Sequence, residues 1–370
     1  MVIFNTYGLR GYVAMDINDG SIIWDNRGMT TASHLSSRPM QVGDKFYFIK
    51  GSRFFAMDLN NGNTLENFLW PPNNEWLNSR ISHFEGTLYM TLKEYTKPTF
   101  AELVSTKIDD LSYSNWTRFL RTTPSENNGY KPSYFAPTVY MKENEEKLLI
   151  FARGFYKNID DSYYNFQAYN LNTQELEWTT EDSFMNSFAQ PKIDGDRVYT
   201  HTDDKIYCLN ANTGETIWDY DISTTGFNIV LSTIAVGLVL HEDVLLGIGK
   251  NDKNICLDKF TGQVRWRYTF DDQKDLDRQA DSSQPETHCI YKDKIYYING
   301  SGGITSVDIY NGGAYKQYYM PQYSYYAAFD TTLFEKKFGS FGSGGMTISE
   351  DGVLFTSDEF RFLAFKIPDE

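Results

Sequence analysis

The side chains that could carry out chemistry are few and lie far apart in the sequence. The histidines are His34, His83, His201, His241 and His288. None of them stands in an HxH, HExxH or Cys-His arrangement that would hold a metal ion. His201 precedes Asp203 and Asp204, but a Thr-Asp-Asp sequence ahead of a strand is typical of a polar hairpin turn.

The cysteines suggest neither a disulfide nor a metal site. They are Cys208, Cys256 and Cys289, with no CxxC motif and no adjacent pair among them. Cys208 and Cys256 fall at matching positions of two similar runs, where a third run has Ala14. We therefore expect small buried apolar side chains.

Other catalytic motifs are missing from the sequence. There is no Gly-x-Ser-x-Gly nucleophile elbow, and no phosphate-binding glycine loop leads into a helix. Residues 339–345 are rich in glycine but precede a strand pattern, which predicts a flexible connection. The sequence therefore predicts no catalytic residue, no metal ion and no other cofactor.

Net charge and composition restrict the kinds of molecule that the protein could bind. The formal net charge of -15 argues against nucleic acid, whose binding needs clustered Lys and Arg. It favours encounter with a basic protein, although an acidic surface also serves solubility alone. Aromatic residues make up 16% of the chain, with 27 Tyr and 26 Phe, a composition that favours strands.

No stretch approaches the apolar length of a membrane span. Residues 225–249 are unusually apolar, but the run His241-Glu242-Asp243 interrupts them at hairpin spacing, which predicts two buried strands. The first residues lack the features of a signal peptide, so the sequence as written predicts a cytoplasmic protein. If a leader had been removed from the sequence as written, the prediction would instead be a periplasmic or cell-envelope protein.

These side chains are positioned by a repeated unit. Three clear copies have a strand, a turn with Gly and a Trp four positions later: Gly11 to Trp24 with Gly20, Ile206 to Trp218 with Gly214, and Asn254 to Trp266 with Gly262. Two partial copies are Phe54 to Gly62, with Glu66 in place of Trp, and Gln167 to Trp178, with Gln174 in place of Gly. Residues 103–116, 304–312 and 361–367 are degenerate copies, which makes eight.

A strand pair with its own hairpin signal precedes the units, as in 39–49, 191–199 and 288–297. Four short strands per repeat predict a β-propeller blade. The pattern of Leu-Asp/Asn, two residues, Thr-Gly, three residues and Trp resembles the PQQ-type propeller repeat of quinoprotein dehydrogenases and of the envelope lipoprotein BamB. The resemblance implies that Trp24, Trp178, Trp218 and Trp266 dock against the Gly turns of neighbouring repeats and join blade to blade.

The predicted fold is therefore all-β: a single domain over 1–370, built as one propeller of four-stranded antiparallel blades. Eight blades are favoured, and seven remain possible if one degenerate copy is misread. Val2-Ile3-Phe4 begins at what looks like a second strand, and the last copy lacks its outer strand. We expect the ends to lie side by side and to close the ring by sharing or exchanging strands.

Loops that interrupt the repeat are predicted near 71–81, 121–137, 271–286 and 314–345. Aromatic residues favoured at protein interfaces concentrate there. The candidate partner-binding residues are Trp76, Tyr130, Tyr134, Tyr318, Tyr319, Tyr323, Tyr325 and Tyr326. Alternatively, these side chains cover the ends of strands.

The function predicted from these features is a non-catalytic propeller that binds another protein as a scaffold, or as an inhibitor such as an acidic immunity protein. One alternative is an oxidoreductase that depends on PQQ and calcium, as the resemblance implies. The adjacent cysteines that form a bridge in the large alcohol-oxidising members are missing here. Another alternative is a BamB-like envelope assembly factor, which requires a leader.

Overall fold

The computed structural model describes residues 1–6, 11–26, 40–50, 53–69, 75–77, 81–94, 100–112, 115–125, 130–158, 161–180, 190–202, 205–222, 238–248, 254–268, 288–298, 304–313, 316–318, 346–357 and 362–367. These residues form 31 β-strands in eight antiparallel sheets. We number the sheets as blades 1 to 8 in chain order. The prediction of eight blades is confirmed, and the sheets are the blades of a β-propeller.

The strands of blades 1 and 2 are β1 (Val2–Thr6), β2 (Gly11–Met15), β3 (Ile22–Asn26), then β4 (Met40–Val42), β5 (Lys45–Lys50), β6 (Arg53–Asp58) and β7 (Thr64–Leu69). Those of blade 3 are β8 (Glu75–Leu77), β9 (Ser82–Phe84), β10 (Thr87–Glu94), β11 (Ala101–Lys107) and β12 (Thr117–Thr122). Those of blades 4 and 5 are β13 (Lys131–Met141), β14 (Lys147–Asn158), β15 (Asp161–Asn170), β16 (Glu175–Thr179), then β17 (Lys192–Asp194), β18 (Arg197–His201), β19 (Lys205–Asn210) and β20 (Thr216–Asp221).

The strands of blades 6 and 7 are β21 (Leu238–His241), β22 (Val244–Ile248), β23 (Asn254–Asp258), β24 (Val264–Tyr268), then β25 (His288–Tyr291), β26 (Lys294–Ile298), β27 (Ile304–Asp308) and β28 (Lys316–Tyr318). Those of blade 8 are β29 (Thr347–Ile348), β30 (Val353–Ser357) and β31 (Phe362–Lys366). Blades 2, 4, 5, 6 and 7 have four strands in chain order. In blade 3, both β8 and β9 pair with β10, which makes five strands.

The chain divides into two compact units, one holding blades 1, 6, 7 and 8 and the other holding blades 2 to 5. In each unit, apolar side chains fill the seam between neighbouring blades. The seam between blades 4 and 5, for example, buries Ile150, Phe166 and Leu209 completely. Such burial of apolar surface is the main favourable contribution to folding.

One turn recurs where the third strand of a blade leads into the fourth, and in the three-stranded blade 1 it lies between β2 and β3. Its first residue is Asp16, Asp58, Asn170, Asn210, Asp258 or Asp308 in six of the blades. In each, the residue four positions later donates its backbone N–H to the carbonyl of that first residue over 2.8 to 3.0 Å. The first side chain also accepts from the turn backbone, as when Asp258 Oδ1 accepts from Phe260 and Thr261 at 3.0 Å. This local bonding explains why Asp and Asn recur there.

The donor in these turns has a positive φ in all six cases, and five of the six donors are glycines. The exception is Gln174, whose φ is 61°. A non-glycine residue in this left-handed region lowers the free energy of unfolding by about 1 kcal/mol or more. We therefore expect Gln174→Gly to raise the free energy of unfolding by about 1 kcal/mol.

Urea unfolding followed by far-UV circular dichroism measures this change. Gln174→Ala is the matched control, because it removes the same side chain yet keeps a Cβ at positive φ. Equal effects of the two substitutions would show that the backbone conformation of residue 174 is not the cause.

Among the described residues, the two terminal blades have three strands each, as the sequence predicted. Blade 1 begins at the second strand position, and blade 8 stops at the third. Their sheets pack against each other through a cluster of Val2, Met15, Val353 and Phe355, so the ends are adjacent. The predicted sharing of strands is not what the described residues do: β1 pairs with β2, β31 pairs with β30, and each sheet remains separate.

Candidate protein-binding site

Two tryptophans named from the sequence lie directly on glycine turns of the following blade. A Cβ added to Gly214 would lie 2.5 Å from Cε3 of Trp178, and one added to Gly312 would lie 2.8 Å from Cδ2 of Trp266. Each indole also donates to a carbonyl oxygen of that blade, Trp178 to Ala211 at 3.0 Å and Trp266 to Ile309 at 2.8 Å. Stacking on glycine and this hydrogen bond fix the indole between two blades.

Each such Trp lies opposite a small side chain of the third strand. The paired residues are Ala14 with Trp24, Ala168 with Trp178, Cys208 with Trp218 and Cys256 with Trp266. The four small side chains are fully buried. All three cysteines are free thiols, and burial raises the pKa of Cys208 and raises that of Cys256 to about 12. Cys289 is half-buried.

The other residues named for blade docking are placed as follows. Trp24 is buried, and Trp218 is half-buried with its ring centroid 6.1 Å from that of Tyr199. Gly20 and Gly262 both have a φ of 72° and close their turns by donating to Asp16 and Asp258. The side chain nearest to a Cβ added to Gly20 is that of Met15, at 4.0 Å.

Sequence reasoning missed the indole between blades 2 and 3. Blade 2 has Glu66 opposite its small residue, Ala56. Trp116 of blade 3 instead joins Ala56 in one buried cluster and meets Phe54 edge-on at 5.7 Å. Blade 3 itself thus supplies the indole for this seam. Trp116 lies two positions before Arg118, which pairs with Val104.

Blade 4 differs from the others in the length of its strands. β13, β14 and β15 have 11, 12 and 10 residues, whereas the corresponding strands of blade 5 have three, five and six. The connections between blades leave from the same end of a blade as the turn between its second and third strands. The extra length of blade 4 therefore lies at the end from which the connections to neighbouring blades leave.

An aromatic platform lies on this extension, which we define as Tyr130, Arg153, Phe155 and Tyr163. Phe155 and Tyr163 are register partners, and their rings stack with centroids 4.4 Å apart and planes 9° from parallel. Tyr130 meets Tyr163 edge-on at 5.6 Å, and the guanidinium of Arg153 lies 4.5 Å from the ring centroid of Phe155. Phe155 is buried, whereas the other three side chains are partly exposed.

The candidate partner-binding residues that the structure describes fall into three groups. Tyr130 belongs to the platform. Tyr134 does not, because it is 1% exposed and packs edge-on against Phe151 at 5.1 Å, so it belongs to the core. Trp76 lies in β8 opposite Lys93, and Tyr318 lies in β28 opposite Ile304.

Several sequence predictions fall outside the described residues: Tyr319, Tyr323, Tyr325, Tyr326 and the loop 271–286. Of the loop predicted at 314–345, only 316–318 is described, and it is strand β28. Much of the stretch 121–137 is also strand, at the end of β12 and the start of β13.

The described residues offer no metal centre, since no three His, Cys, Asp or Glu side chains among them converge. No helix in the described part of the chain is long and apolar enough to cross a membrane.

Comparison with known proteins supports the β-propeller fold. Residues 115–220 and 203–276 match the family model described as outer membrane protein assembly factor BamB. No curated protein matches the chain in sequence.

Solved structures with the same fold include BamB from Moraxella catarrhalis, with 9% identity, a TM-score of 0.51, and 91% of this chain and 90% of that chain covered. Another is the quinohemoprotein alcohol dehydrogenase ADHIIG from Pseudomonas putida HK5, with 11% identity, a TM-score of 0.60, and 97% of this chain and 69% of that chain covered. The class is thus a β-propeller. The family match extends over residues 115–276, less than half of the chain, and the solved structures share its fold.

Proposed function

We propose that this protein is a non-catalytic propeller that binds another protein through the aromatic platform of blade 4. The observation that carries the proposal is the partly exposed group of Tyr130, Arg153 and Tyr163, supported from behind by the buried ring of Phe155. Tyr and Arg dominate the energetics of protein interfaces when a rigid base holds them.

The platform is preorganised, which favours binding. Its rings are fixed by stacking and by strand pairing, so little side-chain entropy remains to be lost on association. Arg153, Phe155 and Tyr163 lie on strands rather than on a loop, and the register of β14 with β15 sets their positions, while Tyr130 directly precedes β13.

Charge suggests the kind of partner. The net charge of -15 would accelerate encounter with a basic protein, and salt would weaken that attraction. An acidic inhibitor that covers a basic protein, such as an immunity protein covering a toxin, is one form of this function.

The experiment is affinity capture of a partner from the native host at low and high salt, with the recovered protein then purified and its Kd measured. Tyr163→Ala and Arg153→Ala are each expected to weaken binding by about tenfold or more, as at interface hot spots. Tyr310→Ala, which removes a partly exposed tyrosine from blade 7, is the matched control and should leave the Kd unchanged.

Two outcomes would overturn the proposal. One is a partner whose Kd is the same for both platform variants and for the control, with all variants folded by circular dichroism. The other is dye reduction with turnover on titration with quinone and Ca²⁺, because this result would establish the oxidoreductase instead.

A further inference from the structure

The aromatic platform stands on a ribbon of β13, β14 and β15 that is packed on both faces. On one face, Phe155 is the register partner of Tyr163 and stacks on its ring. On the other face, Gly154 leaves room for two more rings, since an added Cβ would lie 2.6 Å from Cε1 of Tyr164 and 3.0 Å from Cε2 of Phe135. The side chains of the platform are therefore held in place before any ligand arrives.

Two tyrosine rings form a corner on the platform. The ring centroids of Tyr130 and Tyr163 are 5.6 Å apart and their planes are 74° apart, and both side chains are partly exposed. Phe155 covers one face of Tyr163, with the two planes 9° from parallel. Two ring surfaces at such an angle fit a small, rigid apolar group, and aromatic-lined grooves of proteins bind the proline ring in this way.

The polar groups around this corner are rich in hydrogen-bond donors. Arg153 is partly exposed, and a guanidinium has N–H donors but no acceptor. The hydroxyl groups of Tyr130 and Tyr163 add two O–H donors. Asn165 and Gln167 are the next residues of β15 on the same face as Tyr163, but their amide oxygens are buried atoms. These two acceptors therefore do not face a ligand on the platform.

A proline-rich segment matches this surface, because it offers hydrogen-bond acceptors without donors. In a polyproline II helix the backbone carbonyls make no internal hydrogen bonds, and proline has no N–H. The carbonyl oxygens are thus complementary in charge to the guanidinium of Arg153 and to the hydroxyl hydrogens of the two tyrosines. A saccharide also stacks on aromatic rings, but some of its hydroxyl donors would face a guanidinium that cannot accept.

We infer that the platform accepts a proline-rich segment of the partner protein in the polyproline II conformation. One proline ring packs in the corner between Tyr130 and Tyr163. The backbone carbonyls beside it accept hydrogen bonds from the guanidinium of Arg153 and from the hydroxyl of Tyr163. This inference rests on the proposed protein-binding function and names the kind of ligand that the platform takes.

The dimensions of the platform agree with such a ligand. From Tyr130 through Tyr163 and Phe155 to Arg153, successive members lie 5.6, 4.4 and 4.5 Å apart. The four side chains together thus follow about one to two turns of a polyproline II helix, whose pitch is about 9 Å. Both the platform and this helix are ordered before they meet, so association loses little conformational entropy.

A fluorescently labelled decaproline peptide with blocked ends is the probe, and fluorescence anisotropy gives its Kd for the full chain. We expect saturable binding that is at least about tenfold tighter than that of a Gly-Ser peptide of the same length, which is flexible and carries N–H donors. Because the probe is uncharged, its Kd should change by less than about twofold between low and high salt.

Three variants of the platform locate the site. Tyr163→Ala removes one wall of the corner and should weaken binding of decaproline by about tenfold or more. Tyr163→Phe keeps the ring but removes the hydroxyl donor, and Arg153→Lys keeps the charge but removes the planar guanidinium. Each of these two should weaken binding by about threefold to tenfold, as for one lost hydrogen bond. Tyr310→Ala in blade 7 is the matched control, expected to bind like the parent.

No saturable binding of decaproline, or equal binding of the two peptides, would overturn the inference. So would tighter binding of cellohexaose than of decaproline, because the ligand would then be a saccharide. Competition separates the two proposals. If Tyr163→Ala and Arg153→Ala weaken binding of the captured partner while decaproline does not displace it from the parent chain, the protein-binding function stands and the proline-rich ligand fails. If both variants leave the Kd of the partner unchanged, the protein-binding function fails as well.

Discussion

Replacing Gly214 with alanine is expected to lower the free energy of unfolding by about 4 kcal/mol. Two costs add at this residue. Its φ of 76° places a Cβ in the left-handed region, and that Cβ would lie 2.5 Å from the buried ring of Trp178. The indole cannot move aside freely, because its N–H is hydrogen-bonded to Ala211 and its ring belongs to the packed cluster of blades 4 and 5.

Gly195→Ala is the control that separates the two costs. Gly195 lies in the same blade with a φ of 56°, yet nothing lies within 4 Å of an added Cβ. Only the backbone cost of about 1 kcal/mol is therefore expected. The difference between the two glycines, measured by urea unfolding with circular dichroism, is the contribution of the contact with the indole.

A double-mutant cycle tests the cause directly. Trp178→Ala alone should cost about 3 to 5 kcal/mol, the usual range for removing a buried aromatic side chain. In that background, Gly214→Ala should cost little more than Gly195→Ala, because the ring it would strike is gone. An undiminished cost in both backgrounds would contradict the assignment of Trp178 and Gly214 as one contact.

The blades could be predicted because their signals are local. Asp or Asn at the end of a strand accepts from the N–H of Gly four residues later, and Trp follows at a fixed spacing, so each copy can be recognised from its own short sequence. Blades 1, 5 and 6 keep all these residues. Blade 4 keeps enough of them, since Gln174 adopts the turn conformation at a cost without changing the hydrogen bond to Asn170.

Trp116 shows why the pattern within one repeat does not predict every contact between blades. A seam needs an indole-sized side chain, but either blade can supply it. The sequence of blade 2, with Glu66 opposite Ala56, gives no indication that the following blade does so. When residues far apart in the sequence fill the same seam, no fixed spacing along the chain reveals their contact.

The platform was only partly predictable for a related reason. Alternating aromatics such as Phe155 and Tyr163 are typical of a buried strand. Their exposure depends on how far β14 and β15 extend beyond the neighbouring blades. Tyr134 was named for the surface, yet its register places it beside Phe151 in the core. The two strand patterns over residues 147–158 and 161–170 were the available signal, because each is longer than the strands of any clear copy.

Acidification is expected to destabilise the protein through His201. This side chain is 2% exposed at the end of β18, and its Nδ1 lies 3.3 Å from the carbonyl oxygen of Thr202. Burial lowers the pKa of His201 to about 4, and the contact with Thr202 opposes this only in part. In the unfolded chain the pKa is about 6.5.

The direction of the effect follows from these two pKa values. Above a pH of about 6.5 the imidazole is neutral in both states, and the full free energy of unfolding is present. As the pH falls towards about 4, only the unfolded state takes up the proton, so stability falls by about 1.4 kcal/mol per pH unit and by about 3 kcal/mol in total.

His201→Gln removes this titration and keeps a neutral polar side chain. Between about pH 7.5 and about pH 5, the parent should lose about 2 kcal/mol more than the variant in urea unfolding. His83→Gln makes the same replacement at an exposed position and should follow the parent curve. Parallel curves for the parent and His201→Gln would show that His201 takes up its proton equally in both states, which a buried neutral imidazole cannot do.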